Sequence, residues 1–311
     1  ADGIYFDTSK LKDYGKLARL QKTELAAGKR VAMKEKKNPT DFALWKFSPV
    51  PSLPREKRQQ EWESPWGIGF PGWHIECSAM SMKYLGGHFD IHTGGIDHIP
   101  VHHTNEIAQS EAATGTKFVN FWLHNEFLTY KGEKVSKSTG GLYIISELEE
   151  QGFNPLAYRY LCLGGHYRKS LEFSLEALKN AQNSYERLKN IVRELKDDGK
   201  INKKYLADFE KAINNDLDTP KALATLWRLL RDRKAQGKVK TVAKMDEIFG
   251  LDLLKEEKIE TPAEIIELAG QREKARAKKD WQRADELRQK ITELGWLVKD
   301  SPQGSVINKK F

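Results

Sequence analysis

Cysteine is scarce in this chain. Cys77 and Cys162 are the only two among 311 residues, which excludes a disulfide-stapled scaffold and suits a reducing cytoplasm. Long apolar runs are missing too. None approaches the ~20 residues a membrane-spanning helix needs, so no membrane partner is expected. Internal repeats and low-complexity tracts are absent, which sets aside solenoids and linker-like segments. What is present is a folding composition, with 39% hydrophobic and 31% charged residues, at a length that fits two or three domains. Acids are outnumbered, leaving a net charge of +8. Residues 228–240 carry six Lys or Arg against one acid, and residues 271–310 carry eleven against six. The excess lies in the C-terminal third, where it reads either as two solvated helix faces or as a nucleic-acid contact.

The chain changes character along its length. Residues 1–62 are mixed, with "YFDTSKL" reading as a short strand and turn, and "DYGKLARLQKTELAAG" as one helix or two short pieces ending at Gly28. The proline-bearing "SPVPSLPREKRQQE" reads as an exposed connection. A helix is expected from Trp73 to Gly86, then a strand into Gly94-Gly95, a helix over "HHTNEIAQSEAAT" and a strand over "FVNFWLHNEFLTY". That succession is the pattern of an open α/β nucleotide-binding sheet, whose ligands sit at the carboxyl ends of strands. From about residue 155 the spacing turns helical. Leu175, Leu178, Ala181, Tyr185, Leu188, Val192 and Leu195 recur at three- and four-residue steps behind Ser174 as a cap. Thr219-Pro220 opens another helix as cap and first residue, with Ala222, Leu223, Leu226, Leu229 and Leu230 inward. A last helix sets Trp281, Ala284, Leu287, Ile291 and Leu294 inward and stops at Gly295.

Two constellations carry chemistry. Cys77 precedes His102 by 25 residues, and His102 and Glu106 are four apart and therefore share a helix face. Sulfur, nitrogen and oxygen donors on two adjacent elements suit three positions of a tetrahedral zinc site, with the fourth left to substrate, water or another residue. The alternatives are a buried structural Cys77 and a helix-capping His-His pair, and His74, His88, His92, His98 and His103 blur the choice of ligand. In "GEKVSKSTGG", Lys134 and Lys137 flank Ser136 on an expected loop, suited to a polyphosphate or to solvent alone. In "DIHTGGID", Gly94 and Gly95 let backbone approach a ligand, and Asp97 is placed to take ribose hydroxyls.

The strings "SPWGIGFPGWHIECSAM", "DIHTGGIDHIPVHHTNEIAQSEA" and "KVSKS" follow one another in order. With "DFALWK" (Asp41 to Lys46), "HYRKSLEFS", "NNDLDTPKAL" and the closing "RADELRQKITELGW…SPQG", they resemble the blocks of cysteinyl-tRNA synthetases, a class I family. The resemblance covers essentially the whole chain. It implies an α/β plus all-α protein: the second half of a Rossmann-like nucleotide-binding fold with an inserted connective segment, then a helical anticodon-binding bundle. On that layout residues 1–62 are the remainder of the insertion, 63–132 the second half of the catalytic domain, and 133–172 the signature loop and stem-contact region. Residues 173–255 are the helical bundle and 256–311 a small C-terminal anticodon-binding domain.

The resemblance also implies roles. Cys77, His102 and Glu106 match zinc ligands, and Trp73 matches a residue lining the cysteine pocket. Lys134 and Lys137 match the two catalytic lysines of the Lys-Met-Ser-Lys-Ser loop, and Gly94, Gly95, Asp97 and Lys137 hold ATP. The implied ligands are one zinc, ATP with magnesium, L-cysteine and tRNA(Cys), for a cytoplasmic monomer. Zinc has a physical rationale here: an apolar pocket separates small isosteres by only about a hundredfold, whereas a thiolate is a soft metal ligand and an alcohol is not.

The chain departs from the family pattern in several places. No His-x-Gly-His string occurs; "GGHF" and "GGHY" do not replace it. The first half of the sheet, with a fourth zinc ligand, is therefore expected to be missing and this chain alone to be inactive. Val135 replaces the loop methionine, "STGG" follows it, Thr104 stands where a glutamate is common, and Ile307 stands where many members have a tryptophan. Two rival readings are a mycothiol-pathway cysteine ligase and a non-catalytic zinc- and tRNA-binding remnant.

Overall fold

A computed structural model describes residues 2–19, 36–48, 60–134, 143–255, 262–301 and 304–309. Gly28, most of the proline-bearing connection, and Val135 through Gly141 lie outside the described residues. The chain divides into two compact units, Ala1–Leu142 with Gly165–Ser174, and Tyr143–Gly164 with Leu175–Phe311.

The first unit is α/β. Strand β1 (Gly3–Phe6) pairs antiparallel with β2 (Phe42–Phe47), which pairs antiparallel with β3 (Gly69–Pro71). Residues 12–19 form turns rather than a regular helix. Phe42 and Tyr14 are buried with Ala108, and Phe6, Leu11 and Leu44 pack against them. The buried Asp41 carboxylate ties this region together, accepting hydrogen bonds from Thr8 N and Oγ1 at 3.0 Å and Asn38 N at 2.8 Å. Burial works against that carboxylate, but the bonds from Thr8 and Asn38 outweigh it and hold its pKa below the usual range. Asp41→Ala strands the buried Thr8 N–H and is expected to cost roughly 2–4 kcal/mol at pH 7. A depressed folded-state pKa adds stability above the unfolded value of about 3.9, and that stability is lost as pH falls through the folded value. Urea melts of Asp41→Ala and wild type should therefore converge on acidification.

Helix α1 (Trp73–Leu85) ends at Gly86, whose φ of 89° suits glycine. Then β4 (Phe89–Gly95), a 3₁₀ turn (Ile96–His98), a π-helical turn (Ile99–His103), α2 (Thr104–Thr114) and β5 (Val119–Asn125) make a β–helix–β succession with β4 and β5 parallel. This matches the expected nucleotide-binding pattern. Strand β6 (Leu128–Tyr130) turns through Lys131 (φ 52°) and Gly132 (φ 78°) into β7 (Glu133–Lys134), a two-residue hairpin that needs positive φ at both central positions. Lys134 thus ends a strand, opposite Thr129, rather than lying on a loop. Strand β8 (Leu171–Glu172) runs parallel to β6.

The second unit is mainly helical. It contains α3 (Ile145–Glu150), α4 (Pro155–Leu163), α5 (Leu175–Arg193), α6 (Lys203–Ile213), α7 (Thr219–Arg231) and α8 (Lys238–Phe249). Leu178, Ala181, Tyr185, Leu188 and Val192 are buried, as their spacing predicts, and so are Ala222, Leu223, Leu226, Leu229 and Leu230. The α7 cap falls one residue earlier than expected: the Asp218 side chain accepts from Lys221 N, making Thr219 and Pro220 the first two helical residues. Residues 143–164 belong to this unit, although their sequence neighbours the signature loop. Ala157 is fully buried, and Tyr160 accepts a 3.0 Å hydrogen bond from Trp227 Nε1. Helices α9 (Ala263–Ala277) and α10 (Trp281–Glu293) and the hairpin β9 (Trp296–Ser301)–β10 (Gly304–Lys309) share a separate cluster of Ile265, Leu268, Leu287, Ile291, Trp296 and Val298. Ile307 packs against that cluster. Trp281 and Leu294 are not inward as their spacing suggested: they are 57% and 43% exposed, and the Arg276 guanidinium lies 5.5 Å from the Trp281 ring centre. No described helix is long and apolar enough to cross a membrane.

Candidate metal centre

Six of the eight histidines converge where α1, β4, the π-helical turn, α2 and β5 meet in the first unit. Their rings form a chain: His74 to His102 at 5.0 Å, His102 to His98 at 5.1 Å, His98 to His103 at 5.1 Å, then His103 to His92 at 4.8 Å and to His124 at 5.0 Å. His88 is elsewhere, exposed, with Nδ1 2.7 Å from Lys117 O. Gly94 makes the crowding possible. A Cβ there would lie 2.5 Å from His103 Cε1 and 2.7 Å from His98 Nδ1. Its missing side chain is therefore used by this chain's own rings, whatever ligand its backbone also meets.

The Glu106 side chain is fully buried beneath the rings, and neither of its oxygens makes a hydrogen bond of normal geometry. An isolated buried carboxylate costs several kcal/mol, so a positive charge or a proton belongs there. Cys77, His102 and Glu106 place one donor atom each within 4.8 Å of one another. His102 Nε2 lies 3.5 Å from Glu106 Oε1, close to the ~3.3–3.4 Å edge of a tetrahedron with ~2.0–2.1 Å metal–ligand bonds. His74 Nδ1 is 2.9 Å from His102 Nδ1, which fixes the other nitrogen toward Cys77 and Glu106. Gln109 Nε2 in turn donates to His74 O at 2.7 Å and Ser78 Oγ at 2.6 Å, locking α1 onto α2.

Electrostatics favour the neutral, metal-ready histidines and the protonated forms of Cys77 and Glu106. Burial, then neighbouring imidazoles, push His102 down to about 4 and His103 down to about 3, so both are neutral near pH 7. Burial pushes His74 to about 4 and lowers His92 and His124. Burial raises Glu106 to about 7 against the opposing pull of the Cys77 thiol, and raises Cys77 itself, helped by the Glu106 charge. A bound dication would reverse both shifts by displacing the protons. The donors present fit zinc.

The expected site residues are brought together in part. Trp73 is 61% exposed and lies 5.7 Å from the His102 ring and against His74, forming an open wall beside the metal donors. Gly94 and Gly95 end β4, and Asp97 follows in the 3₁₀ turn, its Oδ1 2.5 Å from where a Gly95 Cβ would stand. Lys137 lies outside the described residues, and Lys134 ends β7. His124 and Gln109 were missed from the sequence. His124 arrives because β5 registers it opposite Gly94, and strand register has no local sequence signal.

The family described as tRNA synthetases class I (C) catalytic domain matches residues 1–183, and the cysteinyl-tRNA ligase anticodon binding domain matches residues 260–305. A cysteine–tRNA ligase 1 of Burkholderia lata is 50% identical over 307 residues, covering 97% of this chain and 64% of its own length. Cysteine–tRNA ligases of Treponema denticola and Zymomonas mobilis are 42% and 40% identical, each covering 96% of this chain and 67% of their own lengths. The chain thus spans about two-thirds of these relatives.

Proposed function

The chain belongs to the class I cysteinyl-tRNA synthetase family, and from that membership we propose that its protein joins L-cysteine to tRNA(Cys) through a cysteinyl adenylate made from ATP. The observation that carries the reading is the buried, unpaired Glu106 carboxylate facing Cys77 and His102 beside the open ring of Trp73. Cys77, His102 and Glu106 hold zinc in this proposal. When bound, zinc supplies a soft Lewis acid that favours a substrate thiolate over the hydroxyl of serine.

The chain's own residues do the positioning. His74 holds His102 in one orientation, and Glu106 is kept dry by its burial. Trp73 closes one side of the amino-acid pocket. Gly94 and Gly95 let the β4 end approach adenosine, and Asp97 takes the ribose hydroxyls. The substrate carboxylate oxygen bonds to the α-phosphorus of ATP, the α–β bridging P–O bond breaks, and pyrophosphate leaves with magnesium. Lys134 and Lys137 offset the charge that builds on the phosphates. The terminal ribose hydroxyl of the tRNA then attacks the adenylate carbonyl, its proton is lost, and AMP leaves. Orientation and charge stabilisation supply the catalysis, and no covalent protein intermediate is required.

The C-terminal cations supply the RNA side. Arg231 lies 5.1 Å over Trp227, and exposed Trp281 offers an aromatic face beside Arg276 in the basic segment 271–310. Stacking of a base on an aromatic ring is worth about 1–3 kcal/mol, so Trp281→Ala should weaken tRNA binding roughly 5- to 150-fold with an unchanged melt. Filter binding at two salt concentrations measures this, and an unchanged affinity would remove Trp281 from the RNA surface. For the reaction itself, cysteine-dependent exchange of pyrophosphate into ATP is measured on the chain alone and joined to the N-terminal part of a relative. Exchange by the joined protein supports the reading; a folded, zinc-loaded joined protein without exchange rejects it.

A further inference from the structure

Helix α1 carries Cys77, while the π-helical turn and α2 carry His102 and Glu106. The spacing of the three donors therefore depends on how α1 seats against α2. Apolar burial fixes that seat weakly. Among the described residues of α1, only Ser78 is buried, and Trp73, Met80, Tyr84 and Leu85 are exposed. What joins the two helices is a buried polar clasp. Gln109 Nε2 donates to Ser78 Oγ at 2.6 Å and to His74 O at 2.7 Å, and Ser110 Oγ bonds Ser78 Oγ at 2.9 Å. We propose that Gln109 is a positioning residue of the metal centre, whose amide sets the reach of Cys77 and His102 to Glu106.

The clasp brackets the donors on both helices. His74 and Ser78 are one turn apart on α1 with Cys77 between them, and Gln109 stands one turn beyond Glu106 on α2. The orientation of the amide is fixed, because only its N–H side can face the His74 carbonyl. One amide thus acts on two donors. Through Ser78 it holds the backbone next to Cys77, and through His74 it holds the residue whose Nδ1 lies 2.9 Å from His102 Nδ1. Stability alone is a poor reason for the group. Gln109 is buried, and its Oε1 makes no hydrogen bond among the described residues, at a cost of about 1–3 kcal/mol. An apolar side chain of similar length removes that cost and creates no new orphan. Ser78 Oγ keeps Ser110, and a helical carbonyl already accepts from the turn above it. Gln109→Met therefore separates the two roles, being nearly neutral for folding and damaging for the metal.

The inference rests on the zinc reading of Cys77, His102 and Glu106, and one experiment tells the failure of either apart. The 311-residue chain is prepared free of metal as wild type, Gln109→Met and Asp41→Ala. Each is melted, titrated with zinc against a chromophoric chelator, and loaded with cobalt(II) to read the thiolate-to-cobalt band of Cys77. Gln109→Met is expected to melt within a few degrees of wild type, to bind zinc about 10–100-fold more weakly, and to show a weakened or shifted band although Cys77 is present. Asp41→Ala is expected to melt lower with affinity and band unchanged. In the joined protein at saturating zinc, Gln109→Met should raise the KM for cysteine and leave the KM for ATP unchanged. Wild-type affinity and band in folded Gln109→Met overturn the inference and leave the zinc reading standing. An equal loss of affinity in Asp41→Ala also overturns it, since lost stability then suffices. A wild-type chain without a thiolate band rejects the zinc reading and the inference with it. Ser78→Ala, which removes the acceptor that Gln109 and Ser110 share, carries the same test if Gln109→Met does not fold.

Discussion

Cys77→Ala is expected to lower zinc affinity by more than about a hundredfold, because losing even an outer partner of a metal ligand costs about 10–100-fold and Cys77 is itself a ligand in the proposed site. The reason lies in the proposed donor set. There Cys77 is the one soft donor, and without it a neutral His102 and the buried Glu106 carboxylate remain. Glu106 is already pushed up to about 7 by burial. Metal-free Cys77→Ala should therefore keep Glu106 protonated more readily than it holds zinc. In the joined protein, cysteine-dependent exchange should fall in step with zinc content, and the preference for cysteine over serine should shrink toward the limit of an apolar pocket, about a hundredfold. The pH dependence has a definite sign. Both Cys77 and Glu106 have raised pKa values in the free protein and must lose protons to bind metal, so apparent zinc affinity should fall as pH is lowered. Competition titration with a chromophoric chelator at several pH values measures the affinities, and pyrophosphate exchange with cysteine or serine measures the rest. His88→Ala is the control, since His88 lies outside the cluster and should leave affinity unchanged.

Phe249→Ala should produce the largest loss of stability, about 3–5 kcal/mol. Phe249 is fully buried at the end of α8, and its ring meets Phe209 edge-on at a centroid distance of 5.2 Å. Its carbonyl accepts from Arg159, and Tyr185 OH bonds Leu251 O at 2.9 Å just beyond, so the segment has little freedom to collapse into the space. For a unit of this size the thermal midpoint of the helical transition should drop by roughly 10 °C. The neighbouring Ile248 is 53% exposed, and Ile248→Ala should stay within about 0.5 kcal/mol. Calorimetry on both variants measures the contrast, and comparable losses would mean that the buried face of α8 is misassigned.

Much of this was legible from local pattern. A helix repeats its buried face every three or four residues, so the inward positions of α5 and α7 follow from spacing alone. His102 and Glu106 are legible as a pair for the same reason. What spacing could not show was anything decided between elements. The Asp218 cap displaced Thr219 because both are capping residues and only the backbone path selects between them. Trp281 fits the apolar period of α10 yet remains outside, beside Arg276 of α9, while Leu287 and Ile291 of the same helix enter the cluster. Lys134 looked like loop because glycine and lysine surround it; the Lys131–Gly132 turn instead pairs it with β6. His124 reaches the histidine cluster through the register of β5 with β4, and which imidazoles face Glu106 depends on which way two buried oxygens point.

The central claim is that Cys77, His102 and Glu106 hold a metal that selects cysteine by its sulfur. The direct measurement is the absorption of the cobalt(II)-loaded joined protein during titration with L-cysteine and, separately, with L-serine. The account predicts that cysteine intensifies the thiolate-to-cobalt band at saturation and that serine leaves it unchanged. Identical spectra with the two amino acids, at concentrations where cysteine supports exchange, would contradict it.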